Sequence, residues 1–214
     1  MMESINSKIR EQICYKTLKK LDDCNLFNIY KDCNSVKKQI KLFENVLDKY
    51  VSSEVKEKIV KEHLPQLIPA GTKGCIKGNL FNKIVKDYIL DLKLNENQYE
   101  ICFEKKCIEK ETNEIPDWYI LEKSTRKVLI GMNQLDFWTG GAQLNRGFKY
   151  IIENNILNNE KSKLLCVICN EIQFKNDKKK VYKLFEIGFK NDTLCYLNNL
   201  KNVVYNFFSI IITD

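Results

Sequence analysis

Apolar residues return at helical spacing through the first third of the chain. Ile5, Ile9, Ile13, Leu18 and Leu21 line one face of a predicted helix over residues 4–21. Val36, Ile40, Phe43 and Leu47 do the same over residues 35–51, with Ser35 placed to cap the free N–H groups of the first turn. A third helix is predicted over residues 53–64, halted by Pro65, whose ring nitrogen has no hydrogen to donate. Residues 65–78 carry Pro65, Pro69, Gly71, Gly74 and Gly78 and interrupt the pattern. They read as the boundary between an N-terminal helical subdomain, residues 1–70, and a second domain, residues 71–214.

The second domain opens with an amphipathic helix over residues 79–92, through Leu80, Phe81, Ile84, Val85, Tyr88 and Ile89. The period then shortens to two, with Tyr99, Ile101 and Phe103 on one side of a strand over residues 99–107. Tyr119, Ile120 and Leu121 form a short apolar strand, residues 122–127 a polar turn, and residues 128–132 the second strand of a hairpin. Thr139, Gly140 and Gly141 break the chain before a helix over residues 142–157, where Leu144, Phe148, Ile151 and Ile152 recur at helical spacing. The continuous apolar run of residues 164–168 suits a strand buried on both faces. A lysine-rich linker at 174–183 and a helix over 193–208 follow, and no segment repeats. This order predicts an α/β fold, a central mixed β-sheet flanked by helices and preceded by the helical subdomain.

Composition narrows the function classes. With 214 residues, 44% hydrophobic and 11% aromatic, the chain can bury a core, which excludes wholesale disorder. No run reaches the roughly 18 apolar residues of a membrane span. The opening MMESINSKIREQICYK lacks the apolar segment of a secretory signal. The expectation is an intracellular protein, cytoplasmic or nuclear if eukaryotic, not secreted and without a membrane partner. Nine scattered cysteines, an odd number, read as reduced thiols. Cys166 and Cys169 have zinc-like spacing but lie in the apolar LLCVIC with no matching second pair, so they read as buried thiols. His63, the single histidine, reads as a cation near a helix C-terminus. The net charge of +7 permits an anionic partner, although it is spread along a Lys- and Asn-rich chain. Neither a Walker loop nor a dinucleotide fingerprint is present.

Candidate chemistry concentrates in residues 114–150. That stretch holds Trp118 and Trp138, the Pro116-Asp117 step, Asn133, Gln134, Asp136, and then Gln143, Asn145, Arg146 and Lys149. Each residue also has a purely structural role open to it. An Asp after Pro serves turns, tryptophans fill cores, and basic residues cover helix surfaces. The density of polar groups beside glycines and tryptophans marks the site. A helix start behind a Gly-Gly loop offers free N–H groups and a positive dipole end to a phosphate. Gln143 and Asn145 suit adenine edges, and Arg146 suits guanine or phosphate; with Lys149 they are the substrate-binding candidates.

A hairpin opening on Pro-Asp, followed by a second strand, a helix and a further strand, resembles the core of the PD-(D/E)xK nucleases, the superfamily of many type II restriction endonucleases. The resemblance covers residues 78–170 by order of elements, with its sequence support in residues 115–149. It implies a restriction-endonuclease-like fold and a Mg²⁺-dependent DNA endonuclease, with Mn²⁺ as an alternative cofactor and RNA as an alternative substrate. It further implies a two-fold homodimer for cutting both strands of a short palindrome. Asp117 matches the metal-binding aspartate. The second strand departs from the pattern: Gly131-Met132-Asn133 or Met132-Asn133-Gln134 stands where the family has acid-x-lysine. Gln134 then takes the lysine position, as glutamine does in some members, with Asn133 beside it. Asp136 or a nearby glutamate (Glu104 or Glu100 on the preceding strand, Glu114 or Glu122) completes the metal set with Asp117. The alternative is a nucleic-acid-binding or scaffold protein that keeps the fold and has lost catalysis.

Overall fold

The structure, a computed structural model, describes residues 33–68, 70–110, 112, 114–135, 142–153, 158–169 and 180–211. The helix expected over residues 4–21 lies outside them. The described residues divide into two compact units, one within residues 33–80 and one within residues 81–211.

In the first unit, α1 (Asn34–Leu47) and α2 (Ser53–Leu67) follow one another across a short connection. Val36 of α1 and Val60 of α2 are buried, and Lys56 Nζ meets Asp48 Oδ1 at 2.6 Å, tying the start of α2 to the end of α1. Helix α2 runs through Pro65 instead of stopping before it. Proline forfeits a single intrahelical bond, and so close to the helix end few residues remain that depend on it.

The stretch expected to be irregular around Gly71, Gly74 and Gly78 is the first half of α3 (Ala70–Leu90). Among the described residues nothing lies within 4 Å of where a Cβ would stand at any of the three glycines, so no close contact there requires them. Their weak helix propensity is overridden by the rest of the helix. From Phe81 onward α3 belongs to the second unit, where Phe81, Val85 and Ile89 are buried.

That unit is built on five strands in the order β1 (Tyr99–Phe103), β2 (Trp118–Glu122), β3 (Val128–Gln134), β4 (Ser162–Ile168) and β5 (Leu194–Tyr196). The β1–β2 and β2–β3 pairs are antiparallel, and β3–β4 and β4–β5 are parallel, which makes the sheet mixed, as the sequence pattern predicts. Parallel neighbours need crossovers. Helix α4 (Ala142–Gly147), continued by a π-helical turn (Phe148–Glu153), lies between β3 and β4, and α5 (Lys180–Lys190) lies between β4 and β5.

Alternation along the strands divides the core between two faces. On one, Tyr119, Leu121, Val128, Ile130 and Leu164 pack with Cys102 and Cys107. The same face continues through Met132, Cys166, Ile168 and Leu194, covered by Tyr150 and Ile151 of the π turn and Leu184 and Phe185 of α5. The opposite face carries Trp118, Ile120, Leu129, Leu165 and Val167, all buried. Helix α6 (Leu200–Phe208) meets it where Phe208 packs edge-on against Tyr99 at 5.3 Å, and α3 meets it where Lys86 lies over the Phe103 ring. The Tyr88 hydroxyl of α3 donates to the carbonyl of Asn198, just before α6, at 3.4 Å.

Two further elements depart from expectation. Residues 193–208 are not one helix: β5 and a 3₁₀ turn (Leu197–Asn199) precede α6. Leu194 and Cys195 are buried against β4, and that burial decides for a strand. The lysine-rich segment becomes helical at Lys180, where Leu184 and Phe185 enter the core; residues 174–179 are outside the described residues. Among the described residues no helix is long and apolar enough to cross a membrane.

Candidate functional site

Asp117 stands at the entry to β2 and holds a half-buried carboxylate at the meeting point of three elements. Its backbone N–H donates to the Gly131 carbonyl of β3 at 3.1 Å, and its carbonyl accepts the Glu104 N–H, just past β1, at 3.0 Å. These bonds fix the carboxylate in place. Its Oδ2 accepts the Asn133 backbone N–H at 2.6 Å, and its Oδ1 accepts the Asn82 amide of α3 at 2.8 Å.

Asn133 closes the network. Its side-chain nitrogen donates to Asn82 Oδ1 at 3.2 Å, and its Oδ1 accepts the Trp118 indole N–H at 3.0 Å. Trp118 is buried, so the indole has a fixed orientation, and it reaches Asn133 because the intervening residue on β3 is Gly131. The Asn82 amide and the Asn133 backbone N–H thus hold the carboxylate, and the Asn133 amide and the Trp118 indole hold Asn82 and Asn133 in turn.

Charge around Asp117 is unfavourable to its ionisation. Burial pushes its pKa up, and the Glu104 and Glu114 carboxylates push the same way, while the Asn133 N–H and the Asn82 amide oppose them. Glu104 sits in the left-handed region at φ 52°, exposed, immediately after β1. Glu114 is held below the usual carboxylate range, first by Lys149, whose Nζ donates to it at 2.6 Å, and then by the Tyr150 hydroxyl, also at 2.6 Å. Burial and the Glu114 charge raise the Tyr150 phenol, with Asp117 contributing in the same direction.

The residues singled out in the sequence fall into three groups. Asp117 and Asn133 are in direct contact, and Glu104 is joined to Asp117 through the backbone. Gln134 is half-buried at the end of β3, one position beyond Asn133. Asn145 and Arg146 are exposed on α4, and Lys149 follows on the π turn paired with Glu114. Gln143 lies on α4, and its side chain is outside what the structure describes, as are Asp136, Trp138 and the Gly140-Gly141 pair. Among the described residues no group of three or more His, Cys, Asp or Glu side chains is arranged to hold a metal.

Asn82 and Tyr150 are not legible as site residues in the sequence. The one available signal at Asn82 is a polar amide on the α3 face that buries Val85 and Ile89, where an apolar residue would be the default.

No family model and no curated protein matches this chain. Among solved structures it is similar to the crystal structure of protein VC1899 from Vibrio cholerae, at 11% identity and a TM-score of 0.39. That similarity covers 96% of this chain and 57% of the other, so the chain spans little more than half the length of that protein.

Proposed function

We propose that this protein is a metal-dependent DNA endonuclease of the restriction-endonuclease-like kind, hydrolysing phosphodiester bonds at the Asp117 end of the sheet. The observation that carries the reading is the position of Asp117. It opens the β2–β3 hairpin within a helix, three strands, helix, strand order, and its carboxylate rests on the backbone of β3 at Asn133. A carboxylate whose ionisation is opposed by burial and by two neighbouring acids is one that a cation would relieve.

Asp117 and Glu104 would hold Mg²⁺ or Mn²⁺, with Asp136 the further candidate from the sequence. Each Asp117 oxygen accepts one hydrogen bond and keeps a lone pair for a cation. Bound there, the cation would lower the pKa of a water and offset charge on the phosphate. Asn82 and Asn133 orient the Asp117 carboxylate. Gln134 takes the place of the family's lysine, and Asn145, Arg146 and Gln143 are substrate contacts on α4. DNA is the substrate class, and a homodimer is the form that cuts both strands.

A second reading keeps the fold and the nucleic-acid partner without catalysis. The β3 sequence Gly131-Met132-Asn133-Gln134, which offers amides where the family has an acid and a lysine, favours it. Plasmid cleavage separates the two. The endonuclease converts supercoiled DNA to nicked or linear product with Mg²⁺ or Mn²⁺, EDTA stops it, and Asp117→Ala abolishes it. No product from the wild type under any metal, with DNA binding intact, selects the second reading. No cleavage and no binding overturns both.

A further inference from the structure

The Glu114 carboxylate is gripped by one donor on each oxygen, Lys149 Nζ on Oε1 and the Tyr150 hydroxyl on Oε2. Consecutive residues of an α-helix point in directions about 100° apart. Here both belong to the π turn that begins at Phe148, and both reach one carboxylate. Such turns recur at functional sites.

The two sides of this contact are unequally fixed. Tyr150 is 7% exposed and packs in the cluster with Met132, Ile151 and Cys166, so the core aims its hydroxyl. The ring also shares that cluster with the β3 residue next to Asn133, which puts the hydroxyl at the Asp117 end of the sheet. Glu114 belongs to the irregular segment leading into β2, and its side chain is 44% exposed. The Tyr150 donor is therefore built into the fold, while the anion it holds sits on a loop at the surface. Arg146, one turn earlier on α4, adds positive charge that acts on both Glu114 and Tyr150. An ammonium and a buried hydroxyl spaced to take two oxygens of one anion suit a phosphate as well as a carboxylate.

We propose that Lys149 and Tyr150 form a binding site for a backbone phosphate of a nucleic-acid strand, filled by the chain's own Glu114 carboxylate when no strand is bound. This site rests on the nucleic-acid reading of the Asp117 cluster and adds to it a competitor inside the chain. Strand binding exchanges the Lys149–Glu114 ion pair for a Lys149–phosphate pair, with no covalent step. Glu114 thereby opposes every strand, and removing its charge favours binding.

The test is the binding of a fluorescent mixed-sequence DNA duplex, measured over a range of salt concentrations without divalent metal. Wild type is compared with Glu114→Gln, Lys149→Met, Lys149→Arg, Tyr150→Phe and, as a control for loss of any one charge, Lys58→Met. Glu114→Gln is expected to bind about 3- to 10-fold tighter than wild type, because a competing anion is gone. Lys149→Met is expected to lower the slope of log K against log salt by about 0.9, the value for one phosphate contact. Lys149→Arg keeps the slope, Lys58→Met leaves it unchanged, and Tyr150→Phe weakens binding without altering it, since the lost donor is neutral. A merely structural Glu114 would make Glu114→Gln bind equally or more weakly, and that result overturns the site. So does a wild-type slope in Lys149→Met, while binding by the wild type leaves the nucleic-acid reading standing. A wild type with no salt-dependent affinity overturns that reading and the site with it.

Discussion

The indole of Trp118 lies against the backbone of Gly131, its cross-strand partner: a Cβ built there would stand 1.8 Å from the indole Cε2. No side chain fits in that space, so glycine is required. The approach also delivers the indole N–H to Asn133. Gly131→Ala is expected to force the ring out and cost about 3 kcal/mol or more, at the upper end for overpacking a core. Urea unfolding followed by tryptophan emission reads both the loss of stability and the displaced ring. A cost below about 1 kcal/mol would show that the ring has room to move.

Gly74 presents the opposite case. It is helical, exposed, and has no described residue within 4 Å of its Cβ position. Gly74→Ala removes unfolded-state freedom and gains helix propensity without a clash, so it is expected to stabilise by about 0.5–1 kcal/mol. Thermal and urea unfolding check the sign. A destabilised variant would mean that residues 70–80 are not helical.

Asn82 donates to Asp117 and accepts from Asn133 in the same network. Asn82→Ala leaves a half-buried carboxylate short of a donor, at a cost of about 1–3 kcal/mol. It should also raise the Asp117 pKa further, because the amide works against burial there. A carboxyl NMR titration of Asp117 in both proteins measures the shift. An unchanged or lower value would mean that the contact does not govern the carboxylate.

The two acids of the cluster respond to pH with opposite signs. Glu114 is held below its ordinary value by Lys149 and Tyr150, so its contribution is present above that ordinary value and disappears as pH falls through the folded one. For a side chain 44% exposed, the contribution is below about 1 kcal/mol. Asp117 is raised, so its folded state holds the proton more tightly, and that contribution fades as pH climbs through the folded value. Urea midpoints from neutral pH down to pH 3 should show Glu114→Gln losing less stability on acidification than wild type. Parallel curves for the two proteins would remove Glu114 from the balance.

Local pattern carried the hairpin and the apolar β4, because their side chains alternate or run together within a few residues. The five-strand sheet was legible to that extent, and β5 was not. A strand of three residues is shorter than any periodic signal, and Leu194 and Cys195 are apolar enough for a helix too. Helix α3 was half hidden for the reverse reason: its glycines argued for a boundary locally, and the burial of Phe81, Val85 and Ile89 that overrides them is set by the sheet. In the site, Asp117 and Asn133 stand out in the sequence through the Pro-Asp step and the second-strand position that the resemblance marks, and they are in contact. Asn82 joins them across 35 residues and Tyr150 reaches Glu114 across 36, and no spacing in a single sequence announces such contacts.

The sulfur atoms inside the sheet have a use apart from packing. Cys102, Cys107, Cys166, Cys169 and Cys195 are buried and in no disulfide, and burial drives the Cys166 and Cys195 thiols far from ionisation. Alkylating reagents attack the thiolate, so these positions react only when their surroundings part. Cys102 lies on the outer strand β1 and Cys166 on the interior strand β4. The order in which the two acquire label is therefore a timetable of the sheet coming apart, kept by the protein's own chemistry, with margin and centre reporting separately.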